Sequence, residues 1–268
     1  MISCVSEHPL TKSSTISILE SAKTYGGPQL SRFVLLASAV AVLNSYEDTS
    51  KAGKPYTEVD WNPVTLDDAL SQKNPVLAYN YAKKAAEQAA WEFVSDPSCH
   101  FDMVAINPDI IIGPLIQPVK TARNVNETDE FAVYSFIDGT NKVVGEVMFP
   151  FYHFVDVRDV ARAHVIAMEE AGAAGKRVLQ VSGMITPLLV CGIIGRRFPH
   201  LRERLPKGWE AEGDGLREDQ QPTGWDVSAS NEVLSLGGKR WAYIGLEESV
   251  VDTVTSLMEW EKKWESGS

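Results

Sequence analysis

Arg32 to Ala37 (RFVLLA) is an almost unbroken apolar run of strand length, and Phe101 to Ile106 (FDMVAI) is a second. Between them, residues 77–95 (LAYNYAKKAAEQAAWEFVS) are rich in Ala, Lys, Glu and Gln, a composition that favours helix. Apolar runs of this kind mark strands buried on both faces, which is the condition of a parallel sheet covered by helices. Further along, a short strand around 154–157 runs into a helix Asp159–Glu170, and Arg177 to Val181 (RVLQV) reads as another strand. Residues 9–24 read as a helix with Leu10, Ile16, Leu19 and Ala22 near one face and Gly26-Gly27 as its stop. Residues 44–75 form a long polar loop with one short helical turn, and 206–226 a surface loop rich in Gly, Pro and charge. The repeat of apolar residues at 246, 250, 254, 257 and 258 gives a closing amphipathic helix. Strands alternating with helices define an α/β fold with a mainly parallel sheet, and such sheets bind ligands at the carboxyl ends of their strands.

Composition narrows the function classes. Among 268 residues, 25 Lys and Arg face 36 Asp and Glu, a net charge of -11. A chain of that sign lacks the basic surface that nucleic acids or anionic membranes require. No apolar run reaches the length of a spanning helix, and residues 1–10 lack the pattern of a secretory leader. Cys4, Cys99 and Cys191 are too few and too widely spaced for a disulfide framework or a zinc site, so the expected compartment is the reducing cytoplasm.

The residues just past each apolar run carry the candidate chemistry. The first run ends at Ala37-Ser38, the second at Asn107-Pro108, and the helix between them carries Tyr79 and Lys83 at i and i+4, on one face. This set suits carbonyl reduction. A phenol has a pKa of about 10, and an ammonium one turn away favours its phenolate and brings the proton into range for acid catalysis. A serine hydroxyl at the neighbouring strand end can hydrogen-bond the developing alkoxide, and Lys83 can hold a ribose hydroxyl. Taken singly, each piece has an ordinary reading as well: Tyr-x-x-x-Lys as a solvated helix face, Ser38 as a hydroxyl satisfying backbone, Asn107-Pro108 as a strand terminator. Tyr81 has Ala85 four residues on, so it has no matching lysine. Asp156 and Asp159 read as helix caps, His153 and His164 as structural, and Trp91 as core.

In this order the segments resemble the extended short-chain dehydrogenases/reductases of the NAD-dependent epimerase/dehydratase superfamily. The likeness is to the fungal ketone and methylglyoxal reductases and the plant dihydroflavonol 4-reductases. RFVLLASAVAV (32–42), YNYAKKAAEQAAWEF (79–93), AINPDIIIGP (105–114), FVDVRDVARAH (154–164) and LEESVVDTV (246–254) carry it. The resemblance implies a Rossmann-like sheet and NADPH-dependent reduction of an aldehyde or ketone, with NAD(H) also compatible. It implies Ser38, Tyr79 and Lys83 as the catalytic triad. Tyr79, Lys83, Pro108 and Ile111 would line the nicotinamide and its ribose, with Thr128 on the phosphate side. It also implies a Rossmann-like cofactor domain over 9–182, with loop 115–150 contributing to the substrate lobe, and a C-terminal substrate-binding lobe over 183–268.

The family pattern opens with a strand, a Gly-x-x-Gly-x-x-Gly turn and a helix that grip the pyrophosphate. No such turn occurs here, so the expectation is a sheet truncated at its N-terminus by about 80 residues on the family pattern. An exposed apolar sheet edge, open to self-association, follows from that expectation. Two other readings stay open on the residues: a nucleotide-sugar epimerase or dehydratase of the same superfamily, and a non-catalytic remnant serving as an interaction module.

Overall fold

The computed structural model describes residues 4–149 and 152–266. The side chains of Cys4 and Leu10 lie outside the described residues. In chain order the elements are α1 (Cys4–Tyr25), β1 (Arg32–Leu36), α2 (Leu66–Ser71), α3 (Pro75–Ser95), β2 (Asp102–Pro108), β3 (Ile110–Ile112), α4 (Glu127–Ala132), β4 (His153–Asp156), α5 (Val157–Glu169), β5 (Arg177–Gln180), β6 (Gly183–Met184), α6 (Pro187–Arg197), α7 (Ser228–Leu234) and α8 (Leu246–Ser266). They fall into two compact units that interleave along the chain. One comprises residues 1–109, 161–180 and 223–241, the other 110–160, 181–222 and 242–268. The chain passes between units at 109/110, 160/161, 180/181, 222/223 and 241/242.

The first unit is built on a parallel sheet of order β1-β2-β5. β2 is central and almost wholly buried, with Val104, Ala105 and Ile106 at 0% exposure. One face packs Val104, Ile106 and Val178 against Ala163, Ala167, Ala173 and Leu234. A second cluster joins Leu19 of α1, Ala90 of α3, Phe101 and Met103. α1 stops where the sequence requires it: Gly27 has φ 68°, and a Cβ on Gly26 would meet the Ala22 carbonyl oxygen at 2.5 Å. α2 is the short helix within the long loop, started by a capping box between Thr65 and Asp68. α3 starts at Pro75, where Asn74 accepts from the Val76 N–H.

β1 departs from expectation. Its residues are half-buried or exposed, Leu36 at 51%, rather than buried on both faces. It pairs with β2 along one side, and among the described residues no strand pairs along the other. An apolar run reports that a strand has covered neighbours; it does not report how many of its sides they cover.

The second unit holds a mixed sheet of order β3-β4-β6, with β3 and β4 parallel and β6 antiparallel to β4. The strand expected at 154–157 is β4, one residue earlier, and it lies in this second sheet rather than beside β2. The core gathers Ile112, Phe136, Phe154, Ile185 and Ile194 against Val250, Val254 and Leu257 of α8, three of the five helix positions that the apolar spacing singled out; the other two, Leu246 and Met258, pack against it partly buried.

Asp156 and Asp159 divide the capping work differently from expectation. Helix α5 begins at Val157, so Asp156 is the residue before it, and its Oδ1 accepts from the Arg158 N–H at 2.8 Å. Asp159 instead lies inside the first turn, fully buried, where its carboxylate accepts from the Ile244 N–H at 2.8 Å. Burial raises the Asp156 pKa, but donors from Arg158 and Ser249 outweigh it and the carboxyl ends below its ordinary value.

Candidate active site

Ser38 follows directly on β1. The ladder runs one residue past the strand, with Ala37 N–H donating to Ile106 C=O at 2.8 Å. Ser38 is extended (φ -163°, ψ 148°) and caps a 3₁₀ turn, Ala39–Ala41, its Oγ accepting from the Val40 N–H at 3.4 Å. The ordinary reading of this hydroxyl, satisfaction of nearby backbone, is therefore realised. A hydroxyl that accepts still has its own proton to donate, so the capping bond leaves Ser38 Oγ–H available to an oxygen.

α3 presents Tyr79, Lys83 and Glu87 at successive intervals of four, along one face. Tyr79 is 42% exposed. The Lys83 ammonium lies 5.6 Å from the centroid of its ring, and burial lowers the lysine pKa by disfavouring the charged form. Tyr81 takes a different neighbour, Lys84, at 5.5 Å from its ring centroid. The Lys84 ammonium is engaged by the carbonyls of Asn62 and Val64, so this second Tyr–Lys pair ties α3 to the preceding loop.

Further down the same face, Glu87 is 1% exposed and paired with Arg177 of β5 at 2.7 Å. Arg177 also donates to the carbonyls of Glu58 and Asp60, both at 2.7 Å, and lies 3.8 Å over the Trp61 ring. Trp91, expected in the core, is half-buried against the α1–α3 cluster and donates to Glu87 Oε1 at 3.2 Å. Asn107 donates to Glu87 Oε2 at 2.7 Å and to the Ser38 carbonyl at 3.1 Å. Sequence reasoning passed over Glu87 and Arg177 and gave Asn107 no partner, reading it only within the Asn107-Pro108 strand end. The available signal was the position of Glu87, two helical turns beyond Tyr79 on the face that carries Lys83.

The remaining expected contacts are distributed. Pro108 ends β2 in the first unit and is buried. Ile111 is the half-buried middle residue of β3, and Thr128 lies in the first turn of α4, where its Oγ1 accepts from Asn126 at 3.2 Å; both belong to the second unit. The structure thus joins Tyr79 with Lys83, and the Ser38 backbone with Glu87 through Asn107. Among the described residues no group of His, Cys, Asp and Glu could hold a metal ion, and no helix is long and apolar enough to cross a membrane.

A parallel sheet covered by helices, with candidate side chains just past its strand ends, is the arrangement of Rossmann-like α/β proteins. Comparison with known proteins agrees. No family model matches the chain. An oxidoreductase of Schizosaccharomyces pombe is 36% identical over 249 residues, 92% of this chain and 68% of that protein. An NADPH-dependent methylglyoxal reductase of Candida albicans is 30% identical over 246 residues, 91% of this chain and 67% of that one. Among solved structures, the yeast methylglyoxal/isovaleraldehyde reductase complexed with NADPH superimposes with a TM-score of 0.78 at 27% identity, covering 94% of this chain and 71% of that one. The chain belongs to the NAD-dependent epimerase/dehydratase superfamily of extended short-chain dehydrogenases/reductases, and it is an oxidoreductase.

Proposed function

We propose that the chain serves NADPH-dependent reduction of a small aldehyde or ketone, with Ser38, Tyr79 and Lys83 as its catalytic residues. The observation that carries this reading is the Tyr79–Lys83 pair on one face of α3, with the ammonium 5.6 Å from the ring centroid. The similarity to reductases named for methylglyoxal and NADPH supports the substrate class and the cofactor.

The residues fit the nicotinamide-ribose half of such a cofactor. Lys83 is a part-buried ammonium that makes no hydrogen bond or ion pair among the described residues, a cation with donors to spare for ribose hydroxyls. Pro108 ends the strand whose carboxyl end faces the site in this fold class. The contacts expected of Ile111 and Thr128 rest on the family resemblance. NADPH, when bound, supplies the hydride. Tyr79 Oη–H donates the proton to the substrate oxygen, and Ser38 Oγ–H donates a hydrogen bond that holds that oxygen as negative charge develops. Lys83 favours the phenolate that remains and keeps the ribose in place.

The compartment consistent with this reading is the cytoplasm, and the exposed side of β1 is the surface through which copies of the chain would associate. The deciding experiment is fluorescence titration of the purified chain with NADPH, with Lys83→Ala as control, followed by a screen of carbonyl substrates. Saturable binding that weakens in the variant is expected. A folded chain that binds no NADPH up to millimolar concentration would overturn the proposal and leave the triad as inherited geometry.

A further inference from the structure

We infer that Glu87 is a positioning residue for Ser38, acting through the side-chain amide of Asn107; this deepens the reductase reading and rests on it. Asn107 is fully buried, and its Nδ2 group is shared between two oxygens, Glu87 Oε2 at 2.7 Å and the Ser38 carbonyl at 3.1 Å. Both partners are acceptors only, so one orientation of the amide satisfies them. Turning it over would set Oδ1 against a carboxylate and a carbonyl at once. The carboxylate therefore selects the orientation that grips Ser38.

Two features show how firmly the arrangement is imposed. Glu87 is immobilised from the far side, since Oε1 receives Arg177 Nε at 2.7 Å and Trp91 Nε1 at 3.2 Å. Arg177 in turn is pinned by two backbone carbonyls and by the Trp61 ring. The opposite cost falls on Asn107 Oδ1, which is buried and has no partner among the described residues. A buried acceptor left unpaired is unfavourable, and it persists because the amide's donors are claimed from both sides. The outcome is a continuous buried path from the middle of α3, two turns beyond Tyr79, to the carbonyl of Ser38. That carbonyl also accepts the Ala41 N–H at 3.0 Å, which forms the turn Ser38 caps. Glu87 thereby refers the serine turn to the same helix that carries the tyrosine and the lysine.

Glu87→Gln isolates this role. With its amide oxygen kept toward Arg177, the new NH₂ faces Asn107, forces the Asn107 amide to turn over, and breaks the bond to Ser38 while preserving side-chain shape. Asn107→Leu removes the link outright at similar volume. Amide hydrogen exchange of the chain 1–268 is expected to speed up across residues 39–43 in both variants while exchange in the centre of α1 stays unchanged. In carbonyl reduction, either variant should lower kcat about 10- to 100-fold, as displaced catalytic groups do, with the KM for NADPH little changed. In a Ser38→Ala background, the same substitutions should cost less than about twofold, since residues that act through one another are non-additive. Additive losses, unchanged exchange at 39–43, or failure of both variants to fold would overturn the inference, the last because it would mark the cluster as structural. A wild-type chain that reduces no carbonyl overturns the reductase reading instead, and the exchange measurement then decides the clamp by itself.

Discussion

The Lys83 ammonium stands 5.6 Å from the centre of the Tyr79 ring, on the same face of α3 and without an ion-pair partner among the described residues. A part-buried charge of this kind works against folding, and burial is the cause of its lowered pKa. Such a residue is retained for what it does to a neighbour or a ligand. Lys83→Met should therefore raise stability while removing function. We expect a gain of about 1 kcal/mol, seen as a melting temperature higher by about 2–4 °C, together with weakened NADPH binding. A variant that melts lower and binds as before would place Lys83 among ordinary structural lysines.

Tyr79 separates the acid from the rest of the machinery. At 42% exposure the side chain carries little of the core, so Tyr79→Phe should leave the melting temperature within about 2 °C, as for surface changes generally. Turnover should fall by about 10²- to 10⁴-fold, the contribution of a positioned general acid. NADPH affinity should hold, because the ribose contact assigned to Lys83 is untouched. Parallel measurement of Tyr81→Phe supplies the internal control. Tyr81 sits over Lys84, whose ammonium is committed to backbone carbonyls, and its loss should leave kcat unchanged.

What was legible in the sequence were features set by local chemistry. The composition of 77–95, rich in Ala, Lys, Glu and Gln, made α3 visible. The spacing of Tyr79 and Lys83 then placed both on one face, and Val250, Val254 and Leu257 announced the buried side of α8. Features set by partners distant in the chain were not legible. Arg177 reaches Glu87 across 90 positions and Glu58 across 119, and nothing local to an arginine opening a strand foretells a buried carboxylate. Asp159 read as a cap because an acidic residue near a helix start has two possible uses. Its burial against the Ile244 N–H appears only once the chain returns from far downstream. The half-exposed state of β1 was not readable from its apolar run, which records affinity for neighbours and leaves their number open; an open sheet edge was expected only from the family pattern.

That exposed side has a measurable consequence. Among the described residues no strand pairs along one side of β1, and Leu36 adds apolar surface at 51% exposure. Edges of this kind recruit other strands unless charge blocks them. Light scattering coupled to size exclusion should show the mass of the wild-type chain rising with concentration. Leu36→Lys should return it toward that of a monomer, with little change in circular dichroism. A wild-type chain that remains monomeric throughout would show the edge to be protected by other means.

Asp129 predicts how the second unit responds to pH. Its carboxyl is 5% exposed, accepts the Gly113 N–H at 3.2 Å, and is pushed up by burial to about 7. Asp156 adds like charge to the same effect. In the unfolded chain the group ionises near the ordinary 3.8. Between these two values the folded state holds a proton that the unfolded state has released, so stability must fall as pH rises from about 4 to about 7 and level off above. Asp129→Asn keeps an oxygen for Gly113 and cannot ionise, so it removes this part of the slope and should be more stable than wild type at pH 8. Urea midpoints of both proteins at pH 5, 6, 7 and 8 make the test: converging curves toward pH 5 and diverging ones toward pH 8 are expected. Parallel curves would mean that Asp129 is ionised in the folded protein throughout, with a donor stabilising its charge.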